Sequence, residues 1–239
     1  MSQETVGLTN RRLKTPRAAA IAGIAFSVLS GVSIVLIRLS IPTSMLYQDA
    51  PLEDQAGRVA LALSILPYAG IAFLWFIGVI RDRIGQFEDR FFSTVFFGSG
   101  LLYLAMTFAA AAIAAGMMIT SARDPGASST STAYILNRAV IYQFTNVYGI
   151  RMAGIFMTSL GTIWLHTKIM PRLFVLVTYG LSIVLLLSPS LNLWLTLIFP
   201  GWVFVLSVYL LILNFRSSAT QEIDAMTSEP EPGAQSTPR

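Results

Sequence analysis

The sequence predicts an all-α fold: a polytopic integral membrane protein, with six transmembrane helices in a bundle. Three observations carry that prediction. About six apolar stretches fill most of the chain, nearly all of them long enough to cross a bilayer, and none contains Asp or Glu. Only 12% of the 239 residues are charged and 54% are hydrophobic, where a soluble domain carries about a quarter charged residues. The basic residues gather at the ends of the apolar runs and alternate between richer and poorer flanks, the signature of an oriented polytopic chain.

A hydrocarbon core about 30 Å thick needs roughly 20 apolar residues in helix. Runs of this kind fall near Ala18–Ile41, Val59–Ile80, Phe91–Thr120, Ala139–Leu165, Leu173–Leu187 and Leu191–Phe215. The fifth is the shortest and needs its flanks to complete a crossing. Backbone groups in lipid must be satisfied internally, so these runs are expected as helices. The period-two alternation of a membrane barrel is absent. Ser188-Pro189-Ser190 reads as a tight turn. Ser121–Asn137 reads as a mobile outer loop, rich in Ser, Thr and Ala.

Orientation follows from the flanks. Arg11, Arg12, Lys14 and Arg17 precede the first run, Arg81, Arg83 and Arg90 join the second to the third, and Lys168 and Arg172 join the fourth to the fifth. The opposite loops hold Arg58, Arg123 and Arg138, with Asp49, Glu53 and Asp54 making the first of them acidic. The positive-inside rule then puts both termini in the cytoplasm, in agreement with an even number of spans. Residues 1–17 form a basic cytoplasmic tail and 18–215 the membrane domain. Residues 216–239, polar and proline-bearing, are expected as a disordered cytoplasmic tail. The first run is too long for a signal-peptide core and no cleavage site is evident, so it is read as a retained helix.

Small residues share helix faces: Ala19, Gly23, Ser27 and Gly31 at four-residue spacing in the first helix, Ala105, Ala109, Ala112 and Gly116 on one stripe of the third, and Gly154, Thr158 and Gly161 in the fourth. Such stripes let helix backbones approach. Packing within the bundle is the simpler reading and a homo-oligomer interface the sharper one. Pro67 and Pro200-Gly201 lie inside the second and sixth runs, where proline frees a carbonyl one turn back.

The fourth run is the polar one. Tyr142, Asn146, Tyr148 and Arg151 follow one another over overlapping helical faces, on a helix about 40 Å long if continuous. An arginine in the hydrocarbon is costly and is by default a functional hypothesis. Arg151 can snorkel to lipid phosphate, bond carbonyls freed by Pro67 or Pro200, or hold an anionic ligand in an outward pocket with Asn146, Tyr148 and Tyr142. Arg38, near the outer edge of the first helix, is expected to snorkel. The cytoplasmic loop Arg81-Asp82-Arg83 to Glu88-Asp89-Arg90 carries both signs densely. It is read as a clamp between the second and third helices, or as a docking point for a partner.

Much chemistry is excluded. With no Cys and one His, neither disulfides nor a multi-His metal site can form. No metal and no cofactor is expected. Walker and dinucleotide motifs are missing, and no intramembrane carboxylate serves a proton relay. Gly98-Ser99-Gly100 resembles the serine motif of intramembrane proteases, but helix-packing glycines explain it more simply. The net charge of +4 is used for orientation and lipid headgroups, not nucleic acid. The partners expected are membrane lipids, with a membrane-protein partner or a second copy.

The stretch Ile71–Gly85 (IAFLWFIGVIRDRIG) followed by Glu88–Phe92 (EDRFF) is similar to multi-pass bacterial inner-membrane proteins of unknown function. The resemblance implies a bacterial plasma membrane, and it carries no catalytic or binding residue with it. The sequence therefore leads to a non-enzymatic membrane scaffold or accessory protein. Its alternatives are a lipid or small-amphiphile binding or transport protein built around Arg151, and an intramembrane enzyme.

Overall fold

A computed structural model describes residues 3–40, 52–84, 90–123, 132–168, 170–187 and 193–227, with side chains over most of that length. Apart from Lys168, Met170 and Pro171, the described residues are helical, in the order α1 (Gln3–Ser40), α2 (Leu52–Ile84), α3 (Arg90–Arg123), α4 (Thr132–Tyr142), a π-helical segment (Gln143–Gly149), α5 (Ile150–Thr167), α6 (Arg172–Leu187), a 3-10 turn (Leu193–Leu197) and α7 (Ile198–Thr227). Four helices are long and apolar enough to cross a membrane, over Ala18–Leu39, Ala56–Asp82, Phe91–Thr120 and Trp194–Leu213. The helix Arg172–Leu187 is apolar but shorter, about 24 Å at 1.5 Å per residue.

The expected fourth helix, Ala139–Leu165, is not one continuous α-helix. It is broken by the π segment, where hydrogen bonds run from i to i+5 and the turn is wider. Thr132–Asn137, expected in a loop, belongs to α4. Helix α7 continues to Thr227, beyond the Phe215 limit set by hydropathy. The turn Ser188-Pro189-Ser190 and residues 228–239 lie outside the described residues. Pro200 sits in the first turn of α7, where its missing N–H breaks no helical bond. It is therefore not the mid-helix kink that its place in the run suggested.

Neighbouring helices run antiparallel around a ring. Phe26 of α1 meets Phe73 of α2, while Gly23, one turn back on α1, lies against Phe76, further along α2, and against Ser207 of α7. Gly70 and Gly100 place α2 against α3 in the same sense, and Gly154 places α5 against α6. Helix α3 packs on α5. Trp202 Nε1 of α7 donates to Thr178 Oγ1 of α6 at 3.0 Å, and Phe174 stacks on Tyr209 at 5.9 Å, which closes the ring.

Aromatic rings fill its middle. Phe73, Phe76, Phe96, Phe156 and Phe199 are all fully buried. Phe156 lies 4.4 Å from Phe96, 5.6 Å from Phe73 and 5.5 Å from Phe199, centroid to centroid. Edge-to-face and offset geometries of this kind add to simple burial. In lipid, where apolar contact is available everywhere, such packing is what holds helices together.

The small-residue stripes divide by position. Gly23 and Gly154 are true contact points: a Cβ at Gly154 would lie 2.9 Å from Leu186 Cγ. The α3 stripe faces the other way. Ala105, Ala112 and Gly116 are exposed, and nothing stands within 4 Å of a Cβ at Gly116. Only 11% of the α3 span is buried, against 39% for α1, so α3 turns most of its surface outward.

Candidate functional site

A polar constellation that includes one arginine forms around the π segment. Seven residues, QFTNVYG, adopt this wider helix, and such segments are frequent at functional positions. Gly149 closes it. A Cβ there would lie 2.8 Å from the Phe144 carbonyl oxygen, the carbonyl five residues back that a π turn brings underneath. Thr145 Oγ1 donates to the Ile141 carbonyl at 2.9 Å. Asn146 Nδ2 donates to Thr145 Oγ1 at 2.8 Å and to the Tyr142 carbonyl at 3.4 Å.

Asn146 is buried, and its Oδ1 accepts a hydrogen bond from Arg38 of α1 at 3.0 Å. Arg38 does not simply snorkel out. Its guanidinium turns onto the π segment, with Tyr142 as an electrostatic neighbour. The amide is neutral, so the arginine charge persists after the bond is made. The π turn is what presents Asn146 to α1 while Gly149 faces Met106 of α3.

Arg151 is half-buried and donates from Nη1 to the Val147 carbonyl of its own helix at 3.4 Å. That carbonyl belongs to its own helix and not to the turn before Pro67 or Pro200. Tyr148 is 53% exposed. Of the four residues expected to line one outward pocket, the structure thus joins Asn146 to Tyr142 through the Tyr142 carbonyl. Arg151 turns instead to the Val147 carbonyl, and the arginine that enters the cluster is Arg38. A link between residues 38 and 146, 108 positions apart, has no local sequence signal.

A second polar seam was not anticipated from the sequence. Thr158 and Ser182 share a short hydrogen bond, and Ser182 Oγ also donates to the Gly154 carbonyl at 2.7 Å. Thr162 Oγ1 pairs with the Tyr179 hydroxyl at 2.7 Å. These bonds zip α5 to α6, as polar side chains do between membrane helices. They consume the hydroxyls in structural contacts.

In the last turn of α2, the guanidinium carbon of Arg81 lies 4.3 Å from the centre of the Phe97 ring of α3. This cation–π contact ties the end of α2 to α3. Asp82 is exposed. The side chains of Arg83 and Arg90, and all of Glu88 and Asp89, lie outside the described residues. Replacing Arg81 by Gln is expected to cost about 0.5–1 kcal/mol, the value of an exposed cation–π contact. A double-mutant cycle with Phe97→Leu, read by thermal midpoint, is expected to show non-additive losses; additive losses would mean the two side chains do not interact.

Ser99 Oγ donates to the Phe96 carbonyl at 3.0 Å within its own helix. Gly100 lies against Phe156, so His166 is about ten residues, roughly 15 Å, further along α5. A Ser99–His166 pair is out of reach. Among the described residues no group of three or more His, Cys, Asp or Glu side chains is placed to hold a metal. No known family, curated protein or solved structure matches the chain.

Proposed function

We propose that this chain is a six-span scaffold or accessory protein of the bacterial plasma membrane, with both ends cytoplasmic and no reaction of its own. The observation that carries the reading is the aromatic column. The space between the helices, where a carrier would need room for cargo, is occupied by Phe73, Phe76, Phe96, Phe156 and Phe199. The hydroxyl seam of α5 and α6 is likewise closed on itself. On this reading α5, extended by the π segment, and α6 are the fourth and fifth crossings. Their antiparallel zipper makes them a hairpin whose turn holds Lys168, on the basic side.

The chain has no Cys, so single cysteines test the topology directly. In intact cells a membrane-impermeant maleimide is expected to label Gly57→Cys and to spare Lys168→Cys until the cells are opened. Labelling of Lys168→Cys from outside would remove the six-span arrangement. The scaffold role is tested by native mass spectrometry after gentle extraction. A defined complex with another membrane protein is expected. Release solely as a 26.1 kDa chain would overturn that role.

A further inference from the structure

We propose that the groove between α1 and α7, together with Arg38 above it, is a binding site for one anionic phospholipid. One acyl chain lies in the groove and the phosphate meets the guanidinium. This goes beyond the scaffold reading and does not depend on it.

The groove is open to the surrounding lipid and encloses ≈ 290 Å³. Gly31 and Gly201 form its floor, and nothing stands within 4 Å of a Cβ at either. Val28 and Phe204 are its rims, 50% and 41% exposed. Ser27 lies at its side but donates its hydroxyl to the Gly23 carbonyl at 2.7 Å, so the wall offers hydrocarbon. A narrow apolar channel between two membrane helices suits a single acyl chain.

Depth and register add the headgroup. On the other side the groove runs from Leu197, at the end of the 3-10 turn, to Phe204 of α7, in the first half of the Trp194–Leu213 span. On α1 it reaches Gly31, past the middle of Ala18–Leu39. The α7 wall therefore lies toward the side of the bilayer on which α1 ends, and the α1 wall runs from the middle of its span toward that same side. Arg38 is seven residues beyond Gly31, two turns along the same face with a drift of about 20° and roughly 10 Å higher. The 3-10 turn that ends the groove touches both α1 and the π segment, and Asn146 of that segment holds Arg38. The amide orients the guanidinium without neutralising it, and no ion pair to Arg38 occurs among the described residues. A planar guanidinium is suited to phosphate, and a cation fixed above a hydrocarbon groove matches a lipid that carries both parts.

The test uses the full chain in nanodiscs of mixed phosphatidylglycerol and phosphatidylcholine, with retained lipid counted by native mass spectrometry. The wild-type chain is expected to keep one phospholipid, enriched in phosphatidylglycerol. Arg38→Gln is expected to lower that retention about tenfold, the loss of one charged hydrogen bond. Gly31→Leu and Gly201→Leu, which fill the groove where space is open, are expected to do the same with folding intact. Gly116→Leu, at an equally open position on α3, is expected to change nothing. Wild-type retention in the two groove variants would overturn the proposal. So would a headgroup effect without a groove effect, or a dimer in place of lipid that Gly31→Leu dissociates. Because the glycine variants leave Arg38 and Asn146 in place, a folding defect in Arg38→Gln does not blunt the test.

Discussion

Phe73→Ala is expected to lower stability by about 3 kcal/mol, near the low end of the range for a buried aromatic truncation. One ring touches side chains from four other helices. Its centroid lies 4.5 Å from Phe26 of α1, 5.7 Å from Tyr103 of α3, 5.6 Å from Phe156 of α5 and 5.6 Å from Phe199 of α7. In a soluble core such a truncation loses a transfer term and a cavity term. In lipid the transfer term largely vanishes, because the unfolded helix also sees hydrocarbon. The cavity term remains, since the neighbouring rings lose their dispersion partners outright. That division places the cost at the low end. A thermal midpoint followed by tryptophan fluorescence, with Trp202 stacked on Phe199 at 6.2 Å as reporter, is expected to fall by roughly 10 °C. Phe73→Leu, which keeps most of the volume, is expected to fall by less than half as much. Equal midpoints for the wild type and Phe73→Ala would show that the column does not bear on stability, and would withdraw the main support for the scaffold reading.

Hydropathy made much of the fold legible, because lipid leaves the backbone few options. The runs in α1, α2, α3 and α7 were recognisable from length and composition alone. What escaped was everything that depends on register. The π segment differs from an α-helix by one hydrogen-bond step, and QFTNVYG carries no composition that reports it. Arg38 was legible as a costly charge, but its partner Asn146 is set by the packing of helices far apart in sequence. The direction of Arg38 therefore had to come from the tertiary structure. The stripe of Ala105, Ala109, Ala112 and Gly116 shows the same limit. Spacing reveals that small residues share a face, and the neighbours decide whether that face is covered. Gly154 and Thr158 found α6 across from them, whereas Gly116 found nothing. The aromatic column is a third case, since Phe73, Phe156 and Phe199 give no hint in sequence that they converge.

Gly149→Ala is expected to be a disruptive single-methyl change, because what the new carbon meets is backbone. Elsewhere in a helix, alanine for glycine is favourable by up to about 1 kcal/mol. Gly180, exposed on α6 with nothing within 4 Å of a Cβ, is expected to follow that rule when replaced by alanine. At Gly149 the new carbon would meet the Phe144 carbonyl oxygen at 2.8 Å. A backbone atom cannot rotate away as a side chain can. Either the strain stays, costing about 1–3 kcal/mol as overpacking does, or the π segment relaxes toward α. Relaxation would turn α4 against α5 by about 100°, one residue's worth of helix. Asn146 would then swing off Arg38, and an arginine in hydrocarbon would lose a partner it is costly to be without. Both routes lower the thermal midpoint, by roughly 3–10 °C. They separate by a double-mutant cycle that pairs Gly149→Ala with Arg38→Gln. Relaxation removes the Arg38–Asn146 contact, so Arg38→Gln is expected to cost less in the Gly149→Ala background, whereas retained strain leaves the two losses additive. A midpoint for Gly149→Ala as high as that for Gly180→Ala would mean that the wide turn does not depend on glycine, and the geometry assigned to the Arg38–Asn146 contact would fall with it.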